Sequence, residues 1–301
     1  MPGSRNMKPS SGRPKKPPLT HFLCLPLVTP HSKPQLEKSL QHFRDAVAAK
    51  DDAPTATVMP GVPPQAIRPV GALHCTLGVM TLDPEKLQRA IHFLTHLDIT
   101  RLMHDQGRVT PQQPGTALAV HLTGLLSMHP PRHTSMLYCA PTDADGSDKL
   151  YPFCLAVRKA FTEQRLLVED ARKLKLHATI LNTIYAKGKN KRPAKPRQTD
   201  ASDSALDTTT PDPTTSPNQQ ISPPPRSNDD APSDGHGPTT NAPLKIDATA
   251  ILDQFKDFVW AQNVVVDRIA ICEMGAKKIL DERGEVVAEE YREVASLKLP
   301  P

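Results

Sequence analysis

Two five-residue segments do most to limit what this chain can become: Leu73-His74-Cys75-Thr76-Leu77 and Leu176-His177-Ala178-Thr179-Ile180. In an extended strand, successive side chains point to opposite faces. His74 and Thr76 therefore share one face, and so do His177 and Thr179. Leu73, Cys75 and Leu77, like Leu176, Ala178 and Ile180, form apolar backs. Each segment must lay its back on a core and turn its His and Thr the other way, into a cleft if something lies across from it. One His-x-Thr is a short pattern that chance supplies readily. Two, in the same local setting, point to a paired site. The alternative is a pair of partly buried strand histidines with structural hydrogen bonds.

The flanking sequence supplies strands and helices in alternation. Thr20 to Val28 reads as a first strand, with Pro26 implying an edge position or an early end. His21 shares a face with Leu23 and Leu25, and reads as a rim residue near a site. Pro34 opens a helix to about Ala49, with Leu36, Leu40, Phe43 and Val47 at helical spacing. Residues 51 to 69 read as loop and 72 to 80 as the first motif strand. Asp83 and Pro84 suit an N-cap and first helical position, ahead of a stripe of Leu87, Ala90, Ile91, Leu94 and Leu97. His92 and His96 are four apart on that helix, a zinc-compatible spacing. They fall off the apolar stripe and lack a third ligand, so they read as solvent-facing.

Residues 104 to 115 read as loop. Ala117 to Leu125 alternates as a strand, and its His121-Leu122-Thr123 imitates the motif. A strand crossing the sheet beside the first motif explains it without catalysis. The loop His129 to His133 is exposed and within the chemistry of a phosphate contact. Met136 to Ala140 reads as a strand. Leu150 to Leu167 reads as a helix with Leu150, Cys154, Val157, Phe161 and Arg165 or Leu166 on its stripe. The second motif follows, 103 positions after the first, so that a strand and a helix surround each: a weak two-lobed internal repeat.

From Gly188 to Pro243 the chain is dominated by Pro, Ser, Thr, Asp and Asn. With almost no large apolar residue, it cannot offset its ordering entropy by burial. Residues 188 to 243 are therefore expected to be a disordered insertion, and residues 1 to 18 a disordered basic tail. The basic runs Arg13 to Lys16 and Lys187 to Arg197 read as nuclear import signals, an RNA-touching arm or simply solvated charge. Beyond the insertion, Ala248 to Trp260 fits a helix. Val264 to Met274 and Glu285 to Leu297 fit two strands joined by a turn at Asp281 to Gly284. One helix and a hairpin are too small to stand alone. The expectation is one domain, 19–187 with 244–299, interrupted by the insertion.

Composition sets the outer bounds. The 301 residues include 33 prolines and only 4% aromatics, so part of the chain cannot bury a core, while the remainder is long enough for one. A net charge of +5 tolerates a polyanionic partner without requiring it. The cysteines, Cys24, Cys75, Cys139, Cys154 and Cys272, are odd in number and show no Cys-x-x-Cys spacing. They read as small buried thiols in a reducing compartment. No leader-like segment and no apolar run long enough for a bilayer is evident. A soluble monomer of the nucleus or cytoplasm, without membrane contact, is the expectation.

The motifs His74-Cys75-Thr76-Leu77 and His177-Ala178-Thr179-Ile180 resemble those of the 2H phosphoesterase superfamily. The stretch Lys175 to Thr183 is most similar to the branch with the A-kinase anchor protein 7 phosphoesterase-like domain and activating signal cointegrator 1 complex subunit 1. The resemblance covers about residues 19 to 186 and 245 to 299. It implies an α+β fold of two pseudo-symmetric lobes, with mainly antiparallel sheets facing a central cleft and helices outside. It implies a metal-independent phosphodiesterase acting on RNA ends, 2′,5′-linked oligonucleotides or cyclic 2′,3′-phosphates, with His74 and His177 as the acid/base pair and no cofactor or metal. Thr76 and Thr179 would hold the phosphate. The chemistry agrees independently, because two facing imidazoles supply base and acid near neutral pH. A non-catalytic nucleotide- or RNA-binding module in a scaffold complex is the rival, with protein partners reached through the insertion. No aromatic platform for bases stands out; Tyr138, Tyr151 and Tyr185 are the candidates.

Overall fold

Alternating apolar residues build the sheet, and helical stripes cover its back. The computed structural model describes residues 17–48, 62–105, 117–186 and 243–300. The expected tail and insertion lie almost wholly outside the described residues. The described residues belong to the first of two compact units, 1–187 with 235–301.

The elements run in order as β1 (His21–Pro26), α1 (Lys33–Val47), β2 (His74–Met80), α2 (Pro84–Thr95), α3 (Ile99–Asp105), β3 (Ala119–Ser127), β4 (Met136–Asp143), α4 (Leu150–Glu163) and β5 (Ala178–Asn182). Beyond residues 187–242 come α5 (Thr249–Gln254), β6 (Val259–Val265), β7 (Arg268–Glu273), β8 (Lys277–Leu280), β9 (Val286–Glu290) and β10 (Glu293–Lys298).

Eight strands form one sheet in the order β10-β7-β1-β2-β5-β4-β3-β6, and β8 and β9 form a separate hairpin. The strand pairings within the sheet are antiparallel. The sheet divides into two four-stranded halves, β10-β7-β1-β2 and β5-β4-β3-β6. They meet where β2 and β5 pair at a single position, Cys75 opposite Ala178. The protein is thus α+β, with two pseudo-symmetric halves, each ending at the centre in one motif strand. Strands from both sides of residues 188–243 share this sheet.

One continuous core lies behind the sheet. It takes Leu73, Cys75 and Leu77 from the first motif and Leu176, Ala178 and Ile180 from the second. Each helix contributes to it, including Leu36, Leu40, Phe43 and Val47 of α1, as their spacing predicts. Asp83 caps α2, its carboxylate accepting from the Lys86 N–H at 2.8 Å. Fully burying a Leu, Val or Phe side chain, as in this core, contributes about 1.5–3 kcal/mol. Phe43, Phe255, Phe258 and Trp260 form an aromatic group, with the Phe43 ring 5.0 Å from Phe255 and 5.4 Å from Trp260. The Trp260 Nε1–H donates to the Gly124 carbonyl at 2.7 Å.

Several local expectations change. β1 is an interior strand between β7 and β2, not an edge, although Pro26 does end it. Its missing N–H falls at the last paired position, where the ladder loses little. A short helix, α3, precedes the expected loop; Asp98 starts it by accepting from the Arg101 N–H at 2.9 Å. The expected helix over 248–260 stops at Gln254, and Val259 and Trp260 begin β6. The two expected C-terminal strands take in β7, β9, β10 and the end of β6, and β8 falls between them. The run 264–274 breaks between β6 and β7, which lie in opposite halves of the sheet. The turn at Asp281 to Gly284 is where it was expected, with Gly284 at φ +80°.

Candidate active site

Because the apolar backs of both motifs enter one core, His74, Thr76, His177 and Thr179 emerge on the other face of the sheet. All four are part-buried. The Cys75–Ala178 pairing makes the two motifs direct neighbours. Counted outward by one residue, that antiparallel register sets His74 beside Thr179 and Thr76 beside His177. A second contact joins the motifs: the His177 backbone N–H reaches the Cys75 sulfur. Burial pushes the Cys75 thiol up to about 12, and this hydrogen bond opposes the shift only in part.

The two imidazoles are held in the same way. The His74 Nδ1–H donates to the Ala72 carbonyl at 2.8 Å, and the His177 Nδ1–H donates to the Lys175 carbonyl at 2.7 Å. Each bond runs to the residue two before the histidine. A carbonyl only accepts, so Nδ1 carries the hydrogen, and in each neutral ring Nε2 bears the lone pair. The Thr76 hydroxyl lies 3.1 Å from His74 Nε2 and donates to it.

Aromatic rings fix the imidazoles further. Phe22 lies 4.8 Å from the His74 ring, and Tyr291 meets the same ring edge-on at 5.1 Å. Tyr138 meets His177 edge-on at 5.5 Å, and Lys175 Nζ sits 4.6 Å over the Tyr138 ring. A cleft of about 430 Å³ adjoins His74 on the side of the first half, lined by Phe22, Cys24, Tyr291, Arg268 and Arg292 among others. His177 does not line it.

Tyr291 just follows the β8–β9 hairpin, which folds against the turn preceding β2. The approach is close at Gly71, where a Cβ would meet the Glu289 carbonyl oxygen at 2.8 Å and Glu290 Cβ at 3.1 Å. Nothing in the sequence marks Tyr291 or Phe22 as site residues. Only the pairing of β1 with β2 and the return of the C-terminal hairpin bring them to His74. Of the tyrosines proposed from sequence, Tyr138 does pack on a motif histidine. Tyr151 instead donates to the Leu174 carbonyl at 3.0 Å, and Tyr185 lies under Arg68.

His121, His21, His92 and His96 lie apart from the motifs. His121 shares their face but sits on β3, two strands from β5. Its Nδ1 accepts from the Asn263 N–H at 3.2 Å, the tautomer opposite to that of the motif histidines. His21 shares the core face with Leu23, opposite the motifs, and burial lowers its pKa. His92 and His96 stack at 4.1 Å on the α2 terminus. Among the described residues no group of three His, Cys, Asp or Glu side chains is arranged to hold a metal. Among them, too, no helix is long and apolar enough to cross a membrane.

An antiparallel α+β sheet that carries paired His-x-Thr strands at its middle is the plan of a two-histidine phosphoesterase. Comparison with known proteins agrees. Residues 19–286 match the AKAP7 2′5′ RNA ligase-like domain, and the chain belongs to that family, within the 2H phosphoesterases. Mouse activating signal cointegrator 1 complex subunit 1 is 25% identical over 178 residues, which are 58% of this chain and 46% of that protein. The chain thus matches about half the length of that relative. Among solved structures, E. coli LigT complexed with 3′-AMP is 14% identical with a TM-score of 0.39, covering 94% of this chain and 99% of LigT. TT0787 of Thermus thermophilus is 11% identical at the same TM-score, covering 93% and 98%. Family membership supports phosphoester chemistry in general terms.

Proposed function

We propose that this protein is a metal-independent phosphodiesterase that cleaves RNA ends, 2′,5′-linked oligonucleotides or cyclic 2′,3′-phosphates. One observation carries the reading: both motif histidines are locked in the same tautomer by the same i−2 carbonyl bond, on neighbouring strands and one face. Each neutral ring has a basic Nε2, and each protonated ring an Nε2–H to give. One imidazole takes the proton of the attacking hydroxyl or water. The other gives a proton to the oxygen that leaves phosphorus. Thr76 and Thr179 donate to the non-bridging oxygens, where negative charge grows. The ring-lined cleft beside His74 has room for part of a nucleoside.

The family name supports an RNA-type substrate, and the kinship with a complex subunit supports protein partners for this chain too. Residence in the nucleus or cytoplasm fits both. The test is hydrolysis of a cyclic 2′,3′-phosphate and a 2′,5′-linked oligoadenylate in EDTA by the wild type, His74→Ala and His177→Ala. One acid/base group contributes about 10²- to 10⁴-fold, so each variant should fall that far. Equal rates in all three proteins would end the catalytic assignment. Tight AMP binding without turnover would leave a nucleotide-binding module instead.

A further inference from the structure

Arg68 stands out among the buried polar side chains. It is only 5% exposed. Its backbone is fixed at two points: its N–H donates to the Ile180 carbonyl at 2.8 Å, and its own carbonyl accepts from Arg44 at 3.4 Å. The preceding residue, Ile67, bridges to Leu181 and enters the common core. The segment 67–68 therefore runs along the same edge of β5 that β2 occupies at Ala178, a few residues beyond Thr179. With Ile67 turned to the core, Arg68 turns to the motif face.

Its guanidinium is positioned by aromatic groups rather than by an acid. It lies 4.0 Å over the Tyr185 ring and donates to the Tyr291 hydroxyl at 3.1 Å. Tyr291 is the ring that meets His74 edge-on. Among the described residues no carboxylate lies within ion-pair distance of Arg68. The other buried or half-buried arginine of this face, Arg268, is by contrast paired with Asp267 and Glu293. A buried cation held by neutral groups keeps most of its five N–H donors and its full charge for an incoming anion. The planar fork suits the oxygens of a phosphate.

We infer that Arg68 is a phosphate-binding residue of this site, gripping an anionic phosphoryl group of the substrate from the Thr179 side. The inference rests on the reading that the motif face receives a nucleotide phosphate. It adds a contact, remote in sequence from both motifs, that selects for a charged phosphate over an uncharged nucleoside.

The test is calorimetric titration of the full chain with AMP and with adenosine, for wild type, Arg68→Lys and Arg68→Gln, beside the melting temperature of each unliganded protein. AMP is not a diester, so the result does not depend on turnover. AMP affinity should fall roughly 10- to 100-fold in Arg68→Gln, the range for a charge-assisted hydrogen bond. Arg68→Lys should keep part of it, and adenosine binding should not change. Should Arg68→Gln not fold, Arg68→Lys carries the test, since it should weaken AMP without reaching adenosine. AMP affinity unchanged in the variants overturns the inference. So does an equal loss for AMP and adenosine, or a wild type that does not prefer AMP. Absent hydrolysis with Arg68-dependent AMP binding intact would sink the catalytic reading alone.

Discussion

Replacing Thr76 by Val removes one oxygen and keeps the shape, which makes it the sharpest probe of the site. The hydroxyl is part-buried and makes one hydrogen bond, to His74 Nε2 at 3.1 Å. Such a bond contributes about 0.5–1.5 kcal/mol net. Val regains part of that through its better fit to a half-buried strand. The net stability change should stay within about 1 kcal/mol, a shift of roughly 2–4 °C in melting temperature for a domain of this size. The catalytic cost is of another order. A donor aimed at a phosphoryl oxygen that gains charge in the transition state is comparable to an oxyanion-hole donor, about 10²- to 10³-fold in rate. The assay is hydrolysis of a cyclic 2′,3′-phosphate in EDTA, with melting followed on the same samples. Thr76→Ser restores the hydroxyl and should recover most of the rate. A Thr76→Val rate within threefold of wild type, or a Ser variant as slow as Val, would refute the role given to the hydroxyl.

Other expectations test different parts of the molecule. Gly124→Ala should destabilise strongly, because Gly124 holds φ +68° and an added Cβ would meet the Lys256 carbonyl at 2.7 Å; chemical denaturation reads the loss, at least about 1–3 kcal/mol. Asp83→Ala should destabilise the protein by removing the cap of α2. The Lys86 N–H holds the Asp83 carboxyl below its ordinary value of 3.8. The cap's contribution is therefore present above that value and lost as pH falls through the lower folded-state pKa, which denaturation at pH 7 and pH 3 separates. The five thiols are buried, and burial drives those of Cys24, Cys75 and Cys139 upward. Native protein at pH 8 should resist iodoacetamide until denatured, as mass spectrometry would record. Replacing residues 188–243 with a short Gly/Ser linker should leave melting and hydrolysis unchanged, since the Thr183 hydroxyl already ties the chain to the Leu244 carbonyl at 2.5 Å.

How much of this was legible beforehand varies by element. The α1 stripe of Leu36, Leu40, Phe43 and Val47 was readable residue by residue, and all four are buried. The C-terminal region was not. The run from Val264 to Met274 looks like one strand because β-branched and other apolar residues dominate it. It is split because β6 must close one half of the sheet and β7 must enter the other. Pro26 left two readings open, a strand edge or an early strand end, since both leave a missing N–H unpaired; the neighbouring strands decide for the early end.

Alternation of apolar and polar side chains is a property of adjacent residues, so the chain's order of amino acids alone determined that His74 and Thr76, and separately His177 and Thr179, would share a face opposite a core. Strand order is a matter of contacts between residues far apart, which depend on how all the apolar faces pack at once. Folding alone therefore decided that β2 and β5 lie side by side, that the C-terminal hairpin returns Tyr291 to His74, and that Arg68 sits buried beside them with a ring beneath it in place of a counter-ion.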